Sequence, residues 1–148
     1  RQGTLTPVYF GSALRDFGVG HLLEGLSRHA PPPGARAADP RPVEPEEPRL
    51  TGFVFKVQAN MDPNHRDRVA FVRLCSGRLT KGMRLRQVRT GKQVPVNAPL
   101  FFFAKERQVA EEAWPGDVVG IANHGTLRIG DTLTEGEEVN FRGVPSFA

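Results

Sequence analysis

Residues 52–88 read GFVFKVQANMDPNHRDRVAFVRLCSGRLTKGMRLRQV, and their pattern decides the fold class. Gly52 to Gln58 predicts a strand with Phe53, Phe55 and Val57 on one face and Val54 and Lys56 on the other, since successive side chains of a strand point to opposite sides. Asn60 to Arg66 predicts a polar loop with Asp62-Pro63-Asn64 at its tip, residues that favour turns through a fixed φ or side-chain-to-backbone bonds. Arg68 to Cys75 is apolar on both faces and predicts a buried strand. Ser76-Gly77 and Lys81-Gly82 interrupt the chain before a third strand, Met83 to Val88. Three strands on short turns, with few helix signals, predict a mainly β fold, a β-barrel or a sandwich.

Toward the C-terminus the same grammar continues. Arg89-Thr90-Gly91-Lys92 predicts a hairpin turn into Gln93 to Val96. Leu100 to Ala104, Val118 to Ala122 and Thr132 to Thr134 predict further strands, and Val139 to Phe147 a last piece. Turn signals at a spacing of about ten residues fit a closed antiparallel barrel. Toward the N-terminus the grammar changes. Residues 31–49 are proline-rich with few large apolar side chains and predict a linker, with the barrel occupying 50–148. Within residues 1–30, Thr4 to Phe10 predicts a buried strand, Gly11-Ser12-Ala13-Leu14 a turn, and Val19 to His29 a helix with Leu22, Leu23 and Leu26 at helical spacing. Strand, turn and helix make half of an α/β unit, which cannot bury its own faces. It is expected to be the tail of a larger α/β domain, as the lack of an initiator Met also suggests. Its stripped apolar surface is an expected source of self-association, which light scattering over a concentration series would read.

The composition narrows the function. With 148 residues and 39 % hydrophobic content the chain can build a core, and no run approaches the roughly 20 apolar residues of a membrane helix. No membrane partner is expected. Cys75 is the only cysteine, which excludes an intramolecular disulfide and fits a cytoplasmic setting. The net charge of +4 is unevenly spread: residues 51–100 hold ten Lys and Arg against Asp62 and Asp67, a balance of +8, while residues 101–148 stand at −4. A basic half favours a polyanion such as nucleic acid; the competing reading is a solvated barrel face.

Two phrases, QANMDPNHRDRVAF and NHGTLRIGDT, together with Gly11-Ser12-Ala13-Leu14, SGRLTKG, WPGDVVGIANHGTLRIGDTL and FRGVPSFA, resemble the bacterial peptide-chain release factor 3 family, translational GTPases related to elongation factor G. The resemblance spans essentially the whole chain. It implies a translation-factor-type antiparallel β-barrel preceded by the C-terminal end of a GTPase domain. It implies that Ser12, Ala13 and Leu14 contact the guanine of GTP or GDP in an intact parent, which would also hold Mg²⁺. It further implies a ribosomal partner, small-subunit RNA and proteins, and codon-reading release factors that the parent helps to dissociate after termination.

The fragment itself is expected to lack catalytic residues and to bind no cofactor. No GxxxxGK[ST] phosphate loop occurs, and the DxxG switch segment and guanine-reading NKxD are likewise expected to be absent; phosphoryl transfer needs a phosphate cradle, Mg²⁺ and an oriented water together. Within the basic half, Arg84 and Arg86 alternate with Met83, Leu85 and Val88 and can share an outward face. Arg66 and Arg68 flank a loop end, and Arg89 and Lys92 a hairpin turn. These six are the candidate contacts to RNA phosphates. His65 with Asp62 and Asp67 is read as a solvated loop rather than a metal site, His124 as turn chemistry, and Cys75 as a small buried hydrophobe. Phe101, Phe102 and Phe103 are read as core or interface packing in preference to a base-stacking platform. Trp114 is read as a lid over one barrel end. The rival readings are a barrel from another translational GTPase, of elongation factor G or ribosomal-protection type, and a free-standing RNA-binding barrel.

Overall fold

The computed structural model describes residues 5–59, 68–103, 106–109 and 111–144, with backbone only at 102, 103 and 106–108. It divides into two units, residues 1–32 and 33–148.

In the first unit, α1 (Val19–His29) has the predicted bounds. Gly18 at its N-cap is left-handed, and Arg28 and His29 in the last turn complement the helix dipole. Arg28 also pairs with Glu24 one turn earlier, at 2.6 Å. Residues 5–10 form no strand, against the sequence expectation. A strand exists through hydrogen bonds to a neighbour, and among the described residues none is supplied to this segment. Tyr9 instead lies against Gly25, where any side chain would collide with its ring. Leu22, Leu23 and Leu26 are exposed.

The second unit is the β domain. Its strands are β1 (Ala38–Asp39), β2 (Thr51–Ala59), β3 (Arg68–Ser76), β4 (Leu79–Thr80), β5 (Met83–Gln87) and β6 (Gln93–Val96), followed by β7 (Leu100–Phe103), β8 (Glu106–Val109), β9 (Glu112–Ala113), β10 (Val118–Ala122), β11 (Thr132–Thr134) and β12 (Asn140–Phe141). Eight of them form one antiparallel sheet in the order β6-β5-β11-β2-β3-β10-β7-β8. The sheet curls around a single core of Val54, Ala70, Val72, Leu74, Leu85, Val94, Val96, Val119, Ile121 and Leu133, joined by Leu79 and Ala113 from the β4–β9 pair. The mainly β, barrel-type fold is therefore as the sequence predicts. Among the described residues the ladder of this sheet ends at β6 and β8, and the β4–β9 pair, with the Lys81 amide donating to the Glu111 carbonyl, adds backbone bonds beside the core packing.

Strict alternation fails in β2. The register with β3 shifts between Val54 and Lys56, a bulge that sets Phe55 aside from the ladder. Phe53 therefore does not share a uniform face with Phe55 and Val57: Val57 packs on the inner core, Phe53 belongs to a second cluster, and Phe55 is exposed. Gly77, at φ +67°, follows β3 where a Cβ would meet the backbone of Arg49 and Leu50, so this close approach requires glycine.

The second cluster explains residues 33–49. Ala38, Val43, Phe53, Cys75, Val139 and Phe141 bury one another on the outer side of the sheet, with Phe53 and Phe141 rings 5.3 Å apart. The segment expected from its prolines to be a linker is a packed strap. Val43 is fully buried, Arg36 bridges to Val43, and β1 pairs with β12. Proline count tracked the missing hydrogen-bond donors but not the two apolar side chains, Ala38 and Val43, that seat the strap. Charges reinforce it: Arg142 pairs with Asp39, and Arg41 holds Glu47 at 2.7 Å and Glu137 at 2.8 Å.

Hydrogen bonds from Arg41, with a further one from the Glu44 amide, hold the Glu47 carboxyl below its ordinary 4.5, at about 2. The stability this ion pair adds is complete above about pH 4.5 and disappears as pH falls through about 2. The melting temperature of the wild-type chain should exceed that of Glu47→Gln at neutral pH, and the gap should close across that acid window. Circular-dichroism melts at stepped pH read it; a gap independent of pH would refute the assignment.

Candidate nucleic-acid interface

The β5–β6 hairpin carries four of the six candidate cations. Along β5 the pattern is Met83, Leu85 and Gln87 inward and Arg84 and Arg86 outward, with Leu85 and Gln87 buried. Arg84 stands opposite Pro95, and Arg86 opposite Gln93 on one side and Thr134 on the other. Arg84 and Lys92 are exposed. Arg86 pairs with Glu138 at 2.6 Å. Arg68 opens β3, separated from β5 by β11 and β2, with its backbone carbonyl accepting from the Asn123 amide. Arg66 lies outside the described residues, as do Asp62, His65 and Asp67. Among the described residues no cluster of His, Cys, Asp or Glu is placed to hold a metal ion.

Arg89 plays a structural part that the sequence did not signal. Its Nε donates to Asp131 Oδ1 at 2.5 Å and its Nη2 to Oδ2 at 3.0 Å. The buried Asp131 carboxylate also accepts from Gln87 Nε2 at 2.6 Å and from the Arg128 amide at 2.7 Å. Burial pushes the Asp131 pKa up, but these donors outweigh it and hold the carboxyl below its ordinary value. Gln87 completes the network by accepting from the Thr90 hydroxyl at 2.7 Å and donating to the Thr126 carbonyl at 3.2 Å. The hairpin turn is thus bolted to the loop before β11. The only hint in the sequence was Gln87 at an inward position of an otherwise apolar strand face.

Next along the chain, Asn123 shapes its own loop. Its Nδ2 donates to the Leu127 carbonyl at 2.9 Å and its Oδ1 accepts from the Gly125 and Leu127 amides, both at 3.0 Å. His124 is an exposed residue of this turn, as read from sequence. Asp117 to Gly120 spells DVVG, so the bare DxxG string does occur, contrary to expectation. Asp117 there caps a turn, its Oδ2 accepting from the Trp114 amide at 2.8 Å, and Val118 to Gly120 belong to β10. Trp114 is half exposed, with Arg78 stacked 5.6 Å from its ring centroid, rather than closed over the barrel as a lid. Phe101 packs against the inner core, and the side chains of Phe102 and Phe103 lie outside the described set. Cys75 is buried, and burial pushes its thiol up to about 11, as suits an unreactive side chain.

In the first unit, Ala13–Arg15 form a short 3-10 turn. The Ser12 amide donates to the Phe17 carbonyl at 2.8 Å, and the Ser12 carbonyl accepts in return from the Phe17 amide at 3.1 Å. Ala13 and Leu14 are exposed.

The geometry separates the hairpin's two turn cations by role. Asp131→Ala should destabilise the β domain by about 1–3 kcal/mol, since it strands buried donors, and Arg89→Ala should act in the same direction. Lys92→Ala should leave stability within about 0.5 kcal/mol of wild type, as exposed substitutions usually do. Urea unfolding monitored at Trp114 measures all three; equal stability of Asp131→Ala and Lys92→Ala would count against the network.

Residues 49–136, more than half of the chain, match the family model described as elongation factor G domain 2. The match runs from the residue before Leu50 to just beyond β11 and so takes in the curled sheet and its inner core. A crystal structure of a protein from Thermus thermophilus is similar at 32 % identity and a TM-score of 0.63, covering 84 % of this chain and 17 % of that one. This chain thus spans about a sixth of that protein's length. The chain belongs to the elongation factor G domain 2 family of translation-factor β-barrels.

Proposed function

We propose that this chain is the ribosome-facing barrel, with the adjoining end of the GTPase domain, of a release factor 3 type translational GTPase. The observation that carries the proposal is the domain 2 match over residues 49–136. To it the sequence adds the phrases QANMDPNHRDRVAF and NHGTLRIGDT, which resemble the release-factor branch. In this reading the parent uses GTP, with Mg²⁺, to dissociate a codon-reading release factor from the ribosome after peptide release, in the cytoplasm. Residues Ser12 to Leu14 face the guanine in the parent. The barrel supplies position rather than chemistry: exposed cations such as Arg84, Arg68 and Lys92 hold it against small-subunit RNA phosphates, contacts that orient without reading sequence. A second reading, the barrel of another elongation factor G-like GTPase, rests on the same match and differs in the step served.

A functional assay separates them. The full-length parent should accelerate GTP-dependent loss of a codon-reading release factor from post-termination ribosomes and leave translocation unaffected; the reverse pattern would favour the second reading. Arg84→Glu with Arg86→Glu should weaken ribosome association of the parent, more so at low salt, where phosphate contacts are strongest. Unchanged affinity across several salt concentrations counts against this face. The isolated chain should show no GTP turnover, because it carries no phosphate loop; measurable phosphate release from the purified chain would refute that.

A further inference from the structure

A cleft of about 550 Å³ opens on the outer side of the β2–β3 ribbon, and no residue of the β5–β6 hairpin is in its lining. Its wall includes Arg36, Phe53, Phe55, Arg73, Cys75 and Val144, and among the described residues no acidic side chain lines it. The bulge in β2 sets Phe55 aside from the ladder, and the residue is 37 % exposed. Arg36 rests its guanidinium 5.3 Å from the Phe53 centroid, which holds that cation at the cleft. Arg73, exposed on β3, faces Phe53 across the ribbon. The aromatic and cationic alternation continues past the cleft: Phe55 and Phe71 rings lie 6.4 Å apart, and Lys56 Nζ sits 5.3 Å over Phe71.

The geometry points to a binding site for single-stranded RNA, with one unpaired base entering the cleft against Phe55 and the flanking phosphates on Arg73, Arg36 and Lys56. Three observations select this ligand. The cleft has the volume of a small-ligand pocket, suited to one nucleotide and too confined for a duplex. Among the described lining residues its two arginines have no carboxylate opposite them, so an anion completes the site. The exposed ring beside them offers a stacking face, the combination that sequence-tolerant single-strand binders use. An acidic peptide would satisfy the arginines and leave the rings idle. This site deepens the ribosomal reading and rests on it for the source of the RNA; none of its residues is among the six cations read from sequence.

Fluorescence anisotropy of a dye-labelled oligouridylate, titrated with the whole chain, tests it beside a duplex RNA of equal length and a poly-glutamate peptide. Oligouridylate should bind tightest. Phe55→Ala should weaken it about tenfold, the scale of one lost base stack. Arg73→Glu should weaken it at least as much, and Arg73→Gln should lower the slope of log affinity against log salt by about 0.7, one phosphate contact on a single strand. Arg73 makes no ion pair or side-chain hydrogen bond among the described residues, so its variants keep the test valid if Phe55→Ala lowers the melting temperature. Unchanged affinity in the Arg73 variants, or equal binding of duplex or poly-glutamate, overturns the site. The two readings fail separately: ribosome association abolished by Arg84→Glu with Arg86→Glu but untouched by Arg73→Glu and Phe55→Ala sinks the cleft alone. Oligouridylate binding that responds to Arg73, in a parent indifferent to ribosomes, sinks the wider reading and keeps the cleft.

Discussion

The β2–β3 ribbon carries Val54, Ala70, Val72 and Leu74 inward and Phe53 and Cys75 outward, so water has to be kept from both of its sides. A sheet with one wet face needs only to curl on itself; a ribbon apolar on both faces needs a second cover. The curl of the eight-stranded sheet supplies the inner one. The strap of residues 36–43 with β12 supplies the outer one over Phe53 and Cys75. Burial on this scale, at about 25 cal/mol per Å² of apolar surface, is the dominant favourable term in folding such a domain. The strap covers only part of the ribbon. Where it stops, Phe55 and Arg73 face the open cleft.

The sequence separates charge by position, and folding undoes much of that separation. Arg86 from the basic half meets Glu138, Arg89 meets Asp131, Arg78 meets Glu112 and Lys81 meets Glu111. The acidic last third of the chain thus serves largely as counter-charge for the middle. Most of these pairs are solvent-exposed and contribute little stability each, since water screens them and side-chain entropy opposes them. Their effect is to shape the field. Among the described residues no carboxylate pairs with Arg84, Lys92 or the cleft arginines, a far narrower set of unpaired cations than a balance of +8 over residues 51–100 suggests.

Most of the β architecture was legible because its signals are local. Thr132–Thr134, Val118–Ala122 and Gln93–Val96 were readable from alternation bounded by turn residues, and α1 from leucine spacing. What escaped depends on partners distant in sequence. Val43 looks like an isolated apolar residue among prolines until Val139 and Phe141 arrive from the other end of the chain. Residues 5–10 have strand composition and, among the described residues, no strand beside them. Arg89 looks like a free turn cation because Asp131, its partner, lies in another loop. The bulge at Phe55 left no trace, since a register shift is a property of two strands and the alternation of one cannot reveal it. The candidate RNA face divides the same way: alternation put Arg84 and Arg86 outward, whereas the cleft is assembled from residues 33–36, β2, β3, the start of β10 with the turn before it, and the segment after β12.

The pairing of β1 with β12 has a mechanical side. Ala38 faces Phe141, Asp39 faces Asn140, and the Arg142 amide donates to the Ala37 carbonyl, so Ala37 and Arg142 lie together at one end of a short antiparallel ribbon. A pull between residues 33 and 144 therefore loads these bonds one after another, as a zipper opens, rather than all at once as in shear. The strap would part before the sheet behind it feels the load. Its release would uncover Phe53 and Cys75 while leaving the inner core shut. The β domain thus meets tension with a yielding outer latch and a separate, protected interior.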